Sequence, residues 1–360
     1  MASLPIVLNS TSALSPKHNH GGQLTLASQK YGIPLESWLD LSTGISPFSF
    51  PLPAVPEEVW QRLPEVNDGL ENAAMHYYGS EYLLPVAGSQ EAIQALPDCI
   101  SMDKECLRVG IIKPAYHSHQ QAWESKGHKV IALSSAEVNA EINTLDILIV
   151  VNPTNPSAET FTPEVLRGWH QRLNKNKGTL IVDEAFMDAT PENTLITSQA
   201  KHGLIVLRSI GKFFGLAGVR LGFVWAEQKI LQKLSNHQND WAVSHTARWA
   251  GRLALADVQW HQLQRRVLPK TSQRLVKLVE ELIFTKPLMS GGVYFNTTNQ
   301  HVQYTALFIY FEHPKAKIIY QQLAEQEILV RLFEMPPALR FGLPANEQQW
   351  QKLANALNTI

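Results

Sequence analysis

GLIVLRSIGKFFGLAGVRLGFVW, residues 203–225, holds two apolar, β-rich runs (203–207 and 219–225), and four glycines thread its 209–223 segment. Continuous apolar runs of this length suit strands buried on both faces of a mostly parallel sheet. That segment carries a hydroxyl, an amine and a guanidinium, on Ser209, Lys212 and Arg220. Together these groups can hold a phosphorylated aldehyde, with Ser209 and Arg220 on the phosphate and Lys212 as the Schiff-base amine.

Further strand-like runs lie upstream, LDILIVV (145–151) and TLIVD (179–183). The stretches 162–174 and 192–201 between them read as helices, the first with Thr162 as N-cap and Pro163 at the first helical position. Such alternation predicts a doubly wound α/β lobe. After about residue 260 the texture changes to a long charged helix (260–284), strands at 292–296 and 303–311, and helices at 315–325 and 346–358. In the last of these, Asn346 and Gln349 read as a capping box. This predicts a smaller α+β lobe. The expected division is an N-terminal arm packing on the small lobe (1–45), a large lobe (46–259) and the small lobe (260–360).

The bulk numbers narrow the function classes. Over 360 residues, 44% are apolar and 18% charged, a globular balance long enough for two lobes. With 31 basic and 32 acidic side chains, no nucleic-acid partner is expected. Cys99 and Cys106 lack CxxC spacing, which argues against a disulfide framework and fits a reducing cytoplasm. No signal peptide and no transmembrane helix is read, so no membrane partner is expected, and the sequons at Asn9 and Asn296 carry no weight without one. His18, His20, His117 and His119 have ligand-like spacing but no carboxylate or thiolate cluster beside them, so no metal is expected.

Open α/β sheets bind ligands at the carboxyl ends of their strands, and several reactive groups fall there. Gly88 and Ser89 precede a helix read at 91–96, whose start favours an anion; a plain strand-to-helix turn is the alternative. Asp183 ends TLIVD and can pair with a pyridinium nitrogen, or else cap a helix; the adjacent Glu184 reads as a surface charge. NPTNP (152–156) makes a rigid turn whose Asn can donate to a phenolate oxygen, or be purely structural. Tyr116 can stack on a flat ring or simply fill a core.

AGSQ (87–90), PAY (114–116), NPTNP (152–156), VDEAF (182–186) and SIGK with Arg220 together resemble the fold-type I pyridoxal-phosphate (PLP) enzymes of the aminotransferase superfamily. HGGQLTLASQKYGIPLESWLDLSTGISP (20–47), GKFFGLAGVRLGF (211–223) and VRLFEMPPALRFGLP (330–344) are similar to the L-threonine-O-3-phosphate decarboxylases of cobalamin biosynthesis. The resemblance implies pyridoxal 5'-phosphate on Lys212, with Asp183 at its ring nitrogen, Asn155 at its ring oxygen and Tyr116 stacked on it. Gly88, Ser89, Ser209 and Arg220 would hold the cofactor phosphate. Arg340 and Arg331 would bind anionic groups of a phosphorylated amino acid, with His20 and the backbone at Thr43, Gly44 and Ile45 closing over it. A homodimer is implied as well.

Two departures bear on chemistry. Phe186 stands where many aminotransferases have a tyrosine that donates to the ring oxygen, which leans away from transamination. Leu63-Pro64 stands where relatives have a Tyr-Pro pair reaching the neighbouring subunit's phosphate. The expected reaction is α-decarboxylation. A histidinol-phosphate-type aminotransferase and a non-catalytic partner protein on the same fold are the rivals.

Overall fold

The computed structural model describes residues 21–100, 104–284, 302–360 and, as backbone only, 288–290 and 293–295. His18, His20 and both sequon asparagines lie outside the described residues. The strands Leu83–Val86 (β1), Arg108–Ile112 (β2), Lys129–Leu133 (β3), Ile147–Val151 (β4), Thr179–Asp183 (β5), Leu204–Ser209 (β6) and Gly222–Trp225 (β7) form one sheet. Their order is β1-β7-β6-β5-β4-β2-β3, and β7 alone runs against the others.

Side-chain alternation divides this sheet into two apolar layers. Ile147, Ile149, Ile181, Ile205 and Leu207 face the helices Ser89–Cys99, His117–Glu124 and Gln228–His237. Leu148, Val150, Leu180, Val182 and Val206 face Leu166, Trp169 and Leu173 of the helix Pro163–Lys175. Each of these side chains, taken fully from water, stabilises the fold by about 1.5–3 kcal/mol. Thr162 caps the helix Pro163–Lys175 as expected, its hydroxyl accepting from the Val165 N–H at 3.5 Å.

The second sheet is antiparallel, built from Gln303–Tyr304 (β8), Phe308–Glu312 (β9), Arg331–Glu334 (β10) and Pro337–Gly342 (β11) in the order β8-β9-β11-β10. The single strand expected at 303–311 is broken, because the Thr305 hydroxyl accepts from the Leu307 and Phe308 N–H groups and turns the chain. The helix Glu347–Asn358 is capped by Asn346, while Gln349 reaches back to the Ala345 N–H at 2.7 Å. The long helix runs Val258–Val279 from its Asp257 cap and continues as a π-turn, Glu280–Phe284.

Two expectations are overturned. No helix spans 192–201: Pro191–Asn193 makes one 3-10 turn, and the chain then runs irregularly. The Glu184 carboxylate takes the Leu195 N–H (2.8 Å) and the Thr194 hydroxyl, pinning that segment outside a helix. Glu184 is therefore no surface charge; it is fully buried and paired with Arg208.

Residues 21–52 bridge the two sheets. The helix Leu24–Tyr31 packs by Ala27 near Trp38 and Ala324, and Leu39–Asp40 pairs in parallel with Ile328–Leu329. The chain then gives Leu41 O to the Gly342 N–H (2.7 Å), and the Ser46 N–H to Lys212 O (2.9 Å). Among the described residues, no helix is long and apolar enough to cross a membrane.

Candidate active site

A cavity of about 670 Å³ opens where the carboxyl ends of β4, β5 and β6 meet β10, β11 and the 43–45 turn. Asp183, Ser209, Lys212 and Arg220 line the side toward the seven-stranded sheet, with Ser89, Tyr116 and Asn155. Thr43, Gly44, Ile45, Arg331 and Arg340 line the other. Of the residues singled out from sequence, all but Gly88 and His20 thus line one space. His20 lies outside the described residues, although its neighbour Gly21 lines the cavity.

Asp183 follows Ile181 on the same face of β5 and so reaches the cavity floor. One of its oxygens meets His119 Nε2 at 2.9 Å, and the other accepts the Ala185 N–H at 3.1 Å. His119 is buried on the helix behind this floor. Sequence reading took it only as a dismissed metal ligand; its partner lies 64 residues away, and nothing in local spacing announces it. Among the described residues no metal-binding cluster forms.

Lys212 points into the cavity with Nζ 5.7 Å from the centre of the Phe186 ring. Burial, aided by the cations Arg340 and Arg220 and opposed by Asp183, pushes its amine down to about 8. A larger fraction is then the neutral, nucleophilic amine near neutral pH. The Phe186 ring packs edge-on to Phe308, and a Cβ at Gly44 would lie 3.0 Å from Phe186 and 2.9 Å from Phe308. Glycine lets the 43–45 backbone approach these rings.

Gly88 (φ +76°) precedes the helix Ser89–Cys99, whose first N–H groups have no acceptor within the helix. Arg220 takes a left-handed backbone (φ +55°), strained for a residue with a side chain. Its guanidinium lies against Gly88, 2.7 Å from where a Cβ would stand. The Ser209 hydroxyl accepts the Gly211 N–H at 3.3 Å and keeps its own proton to donate. Tyr116 donates to Gln90 Oε1 at 3.1 Å.

NPTNP divides its two asparagines. Asn152 is structural, with its amide exchanging bonds with the Phe161 backbone at 3.0 and 2.9 Å. Asn155 lines the cavity, and its Oδ1 accepts from Arg340 Nη1, which leaves its NH₂ as the donor end. Arg340 Nη2 donates to Ser42 O at 2.7 Å, and its buried Nε has no hydrogen-bond partner. Burial and the nearby Arg331, against the pull of Asp40, lower its guanidinium to about 9. Burial also lowers Arg331.

The family model for aminotransferase class I and II matches residues 62–357. The chain belongs to this family. A threonine-phosphate decarboxylase from Pseudomonas aeruginosa is 46% identical over 94% of this chain and 96% of its own length. Another, from a Sinorhizobium species, is 36% identical over 94% of this chain and 97% of its own. Among solved structures, a histidinol-phosphate aminotransferase from Sinorhizobium meliloti in complex with pyridoxal-5'-phosphate superposes with a TM-score of 0.76 at 18% identity, covering 98% of each chain. That likeness is one of fold.

The residues present fit pyridoxal phosphate. A helix start beside Gly88, Ser209 and Arg220 suits its phosphate, and an amine held near 8 suits its aldehyde. A carboxylate anchored from behind suits its ring nitrogen, and the turned amide of Asn155 suits its ring oxygen.

Proposed function

We propose that the protein is a PLP-dependent lyase that decarboxylates L-threonine O-3-phosphate to (R)-1-amino-2-propanol phosphate, the linker used in cobalamin biosynthesis. The observation that carries this reading is the pair Arg331 and Arg340 on the wall facing Lys212. They are two cations beyond the Arg220 corner, and they match a substrate that brings both a carboxylate and a phosphate. The threonine-phosphate decarboxylases at 46% and 36% identity support it.

Bound pyridoxal phosphate supplies an electron sink for the pair left on Cα when the carboxylate departs as carbon dioxide. Lys212 would bind the cofactor, Arg220, Ser209 and the helix start at Ser89 would hold its phosphate, and Tyr116 would pack on its ring. Asp183, steadied by His119, would provide the negative charge at the ring nitrogen. Arg340 and Arg331 would bind the substrate's anions and so set the direction in which its carboxylate is presented. Lys212 then returns a proton to Cα. Phe186 and Phe308, packed against Gly44, exclude water from that face.

On this reading the protein works in the cytoplasm, where unpaired Cys99 and Cys106 stay reduced. It acts as a homodimer, which exposed Trp60, Leu63, Val66 and Trp241 favour; sedimentation as a monomer at micromolar concentration contradicts this. The reaction is tested by incubating PLP-loaded protein with L-threonine O-3-phosphate, trapping carbon dioxide, and separately adding 2-oxoglutarate. Carbon dioxide without amino transfer is expected; amino transfer without carbon dioxide moves the activity to the aminotransferase rival.

A further inference from the structure

Behind the cavity floor lies a buried ionic cluster that the chemistry above does not use. Asp183 and Ser209, at the ends of paired β5 and β6, face the cavity. Their chain neighbours Glu184 and Arg208 turn to the opposite side and meet there, with Arg208 Nη1 donating to Glu184 Oε2 at 2.8 Å. Arg208 Nη2 donates to Asp188 Oδ1, and its plane lies 4.9 Å from the centre of the Tyr78 ring. Asp188 Oδ1 also accepts from the Tyr77 hydroxyl at 3.1 Å, and Arg265 donates to the Asp188 carbonyl (3.0 Å) and to Tyr77 (3.1 Å). Glu184, Asp188 and Arg208 are all almost wholly buried.

This one guanidinium therefore ties three things that the cavity needs in register. Through Arg208 it holds the strand that delivers Ser209 and leads to Lys212. Through Glu184 it holds the strand end that delivers Asp183. Through Glu184 and Asp188 together it closes the 184–188 turn, which carries Phe186 to the underside of Lys212. A fork with two carboxylates fixes direction as well as distance.

We propose that Arg208 is a positioning residue for the cofactor floor, holding Asp183, Phe186 and the Ser209–Lys212 segment at their mutual spacing. The inference rests on the cofactor assignment above. Arg208→Lys keeps the charge and loses the fork, while Glu184→Gln keeps the shape and loses one ion pair. Arg248→Lys is the control, since Arg248 closes the same kind of fork on Asp68 and Glu71 without lining the cavity.

For each, the melting temperature of the apoprotein, the PLP dissociation constant and the midpoint of the bound cofactor's pH-dependent visible band are measured. Arg208→Lys and Glu184→Gln are expected to weaken PLP by about tenfold or more and to move the midpoint. Arg248→Lys is expected to move only the melting temperature. If all three lower the melting temperature and none changes the dissociation constant or the midpoint, the cluster is merely structural and the proposal falls. Should Arg208→Lys fail to fold, Glu184→Gln decides alone, and Tyr77→Phe, which removes one bond to Asp188, decides if neither folds. A wild type that binds no PLP overturns the cofactor reading, and this inference with it.

Discussion

Two buried arginines stand on opposite sides of the same floor and do opposite things. Arg208 has both ends of its fork on carboxylates, Glu184 and Asp188, which raises its affinity for its proton despite complete burial. Arg340 has its fork on two neutral oxygens, Asn155 Oδ1 and Ser42 O, and its guanidinium is lowered to about 9. Each leaves Nε without a partner, so hydrogen-bond counting does not separate them. Charge does. A buried cation matched by anions of its own chain belongs to the scaffold, whereas one held by neutral groups favours an anion from outside.

The largest effect that can break this contrast is on stability. Arg208→Met leaves Glu184 and Asp188 buried without their cation and is expected to cost about 3–5 kcal/mol in denaturant unfolding of the apoprotein. Arg340→Met strands no carboxylate, so its unfolding should be unchanged or slightly improved. An equal loss in both variants would erase the distinction. The second effect is on turnover: Arg340→Met should lower kcat/KM for L-threonine O-3-phosphate by about two to three orders of magnitude, since a charge-assisted anchor is worth about 2–5 kcal/mol.

Lys212 sharpens the comparison through pH. Its amine sits at about 8 against 10.5 ordinarily, so the unfolded chain takes up this proton first. The resulting penalty is absent above about pH 10.5, grows as pH falls and is complete below about pH 8. Apo Lys212→Met should therefore gain up to about 3 kcal/mol over wild type at pH 7, a gain that vanishes near pH 10.5. Unfolding of both proteins across that range checks it. The smallest effect links the two sites: because Arg340 is among the cations that lower Lys212, Arg340→Met should raise the midpoint of PLP capture by apoprotein by about one pH unit.

Much of this floor was legible in the chain because strand alternation is strict. TLIVD places Asp183 on the Ile181 face, and the reading of 179–183 as a strand coincides with β5. Carrying the same alternation one residue further puts Glu184 with Val182 and Arg208 with Val206, away from the cavity; the surface reading of Glu184 stopped one step short. The expected helix at 192–201 failed for the same cause, since Glu184 holds Thr194 and Leu195. Partnerships across the fold, such as His119 with Asp183 or Arg340 with Asn155, are set by packing over 64 and 185 residues and leave no local pattern. Phe186 was legible as a departure, but its place beneath Lys212 emerges only from the turn that Arg208 closes.

The central claim is that one cavity joins an amine from the edge of the seven-stranded sheet to a waiting cation on the four-stranded one for decarboxylation. Carbon dioxide release from L-threonine O-3-phosphate, measured side by side for wild type, Lys212→Ala and Arg340→Met with PLP present, tests it most directly. The account predicts release by the wild type, none by Lys212→Ala, and a greatly reduced rate with Arg340→Met that stays low although the protein is folded. Undiminished release by either variant would contradict it.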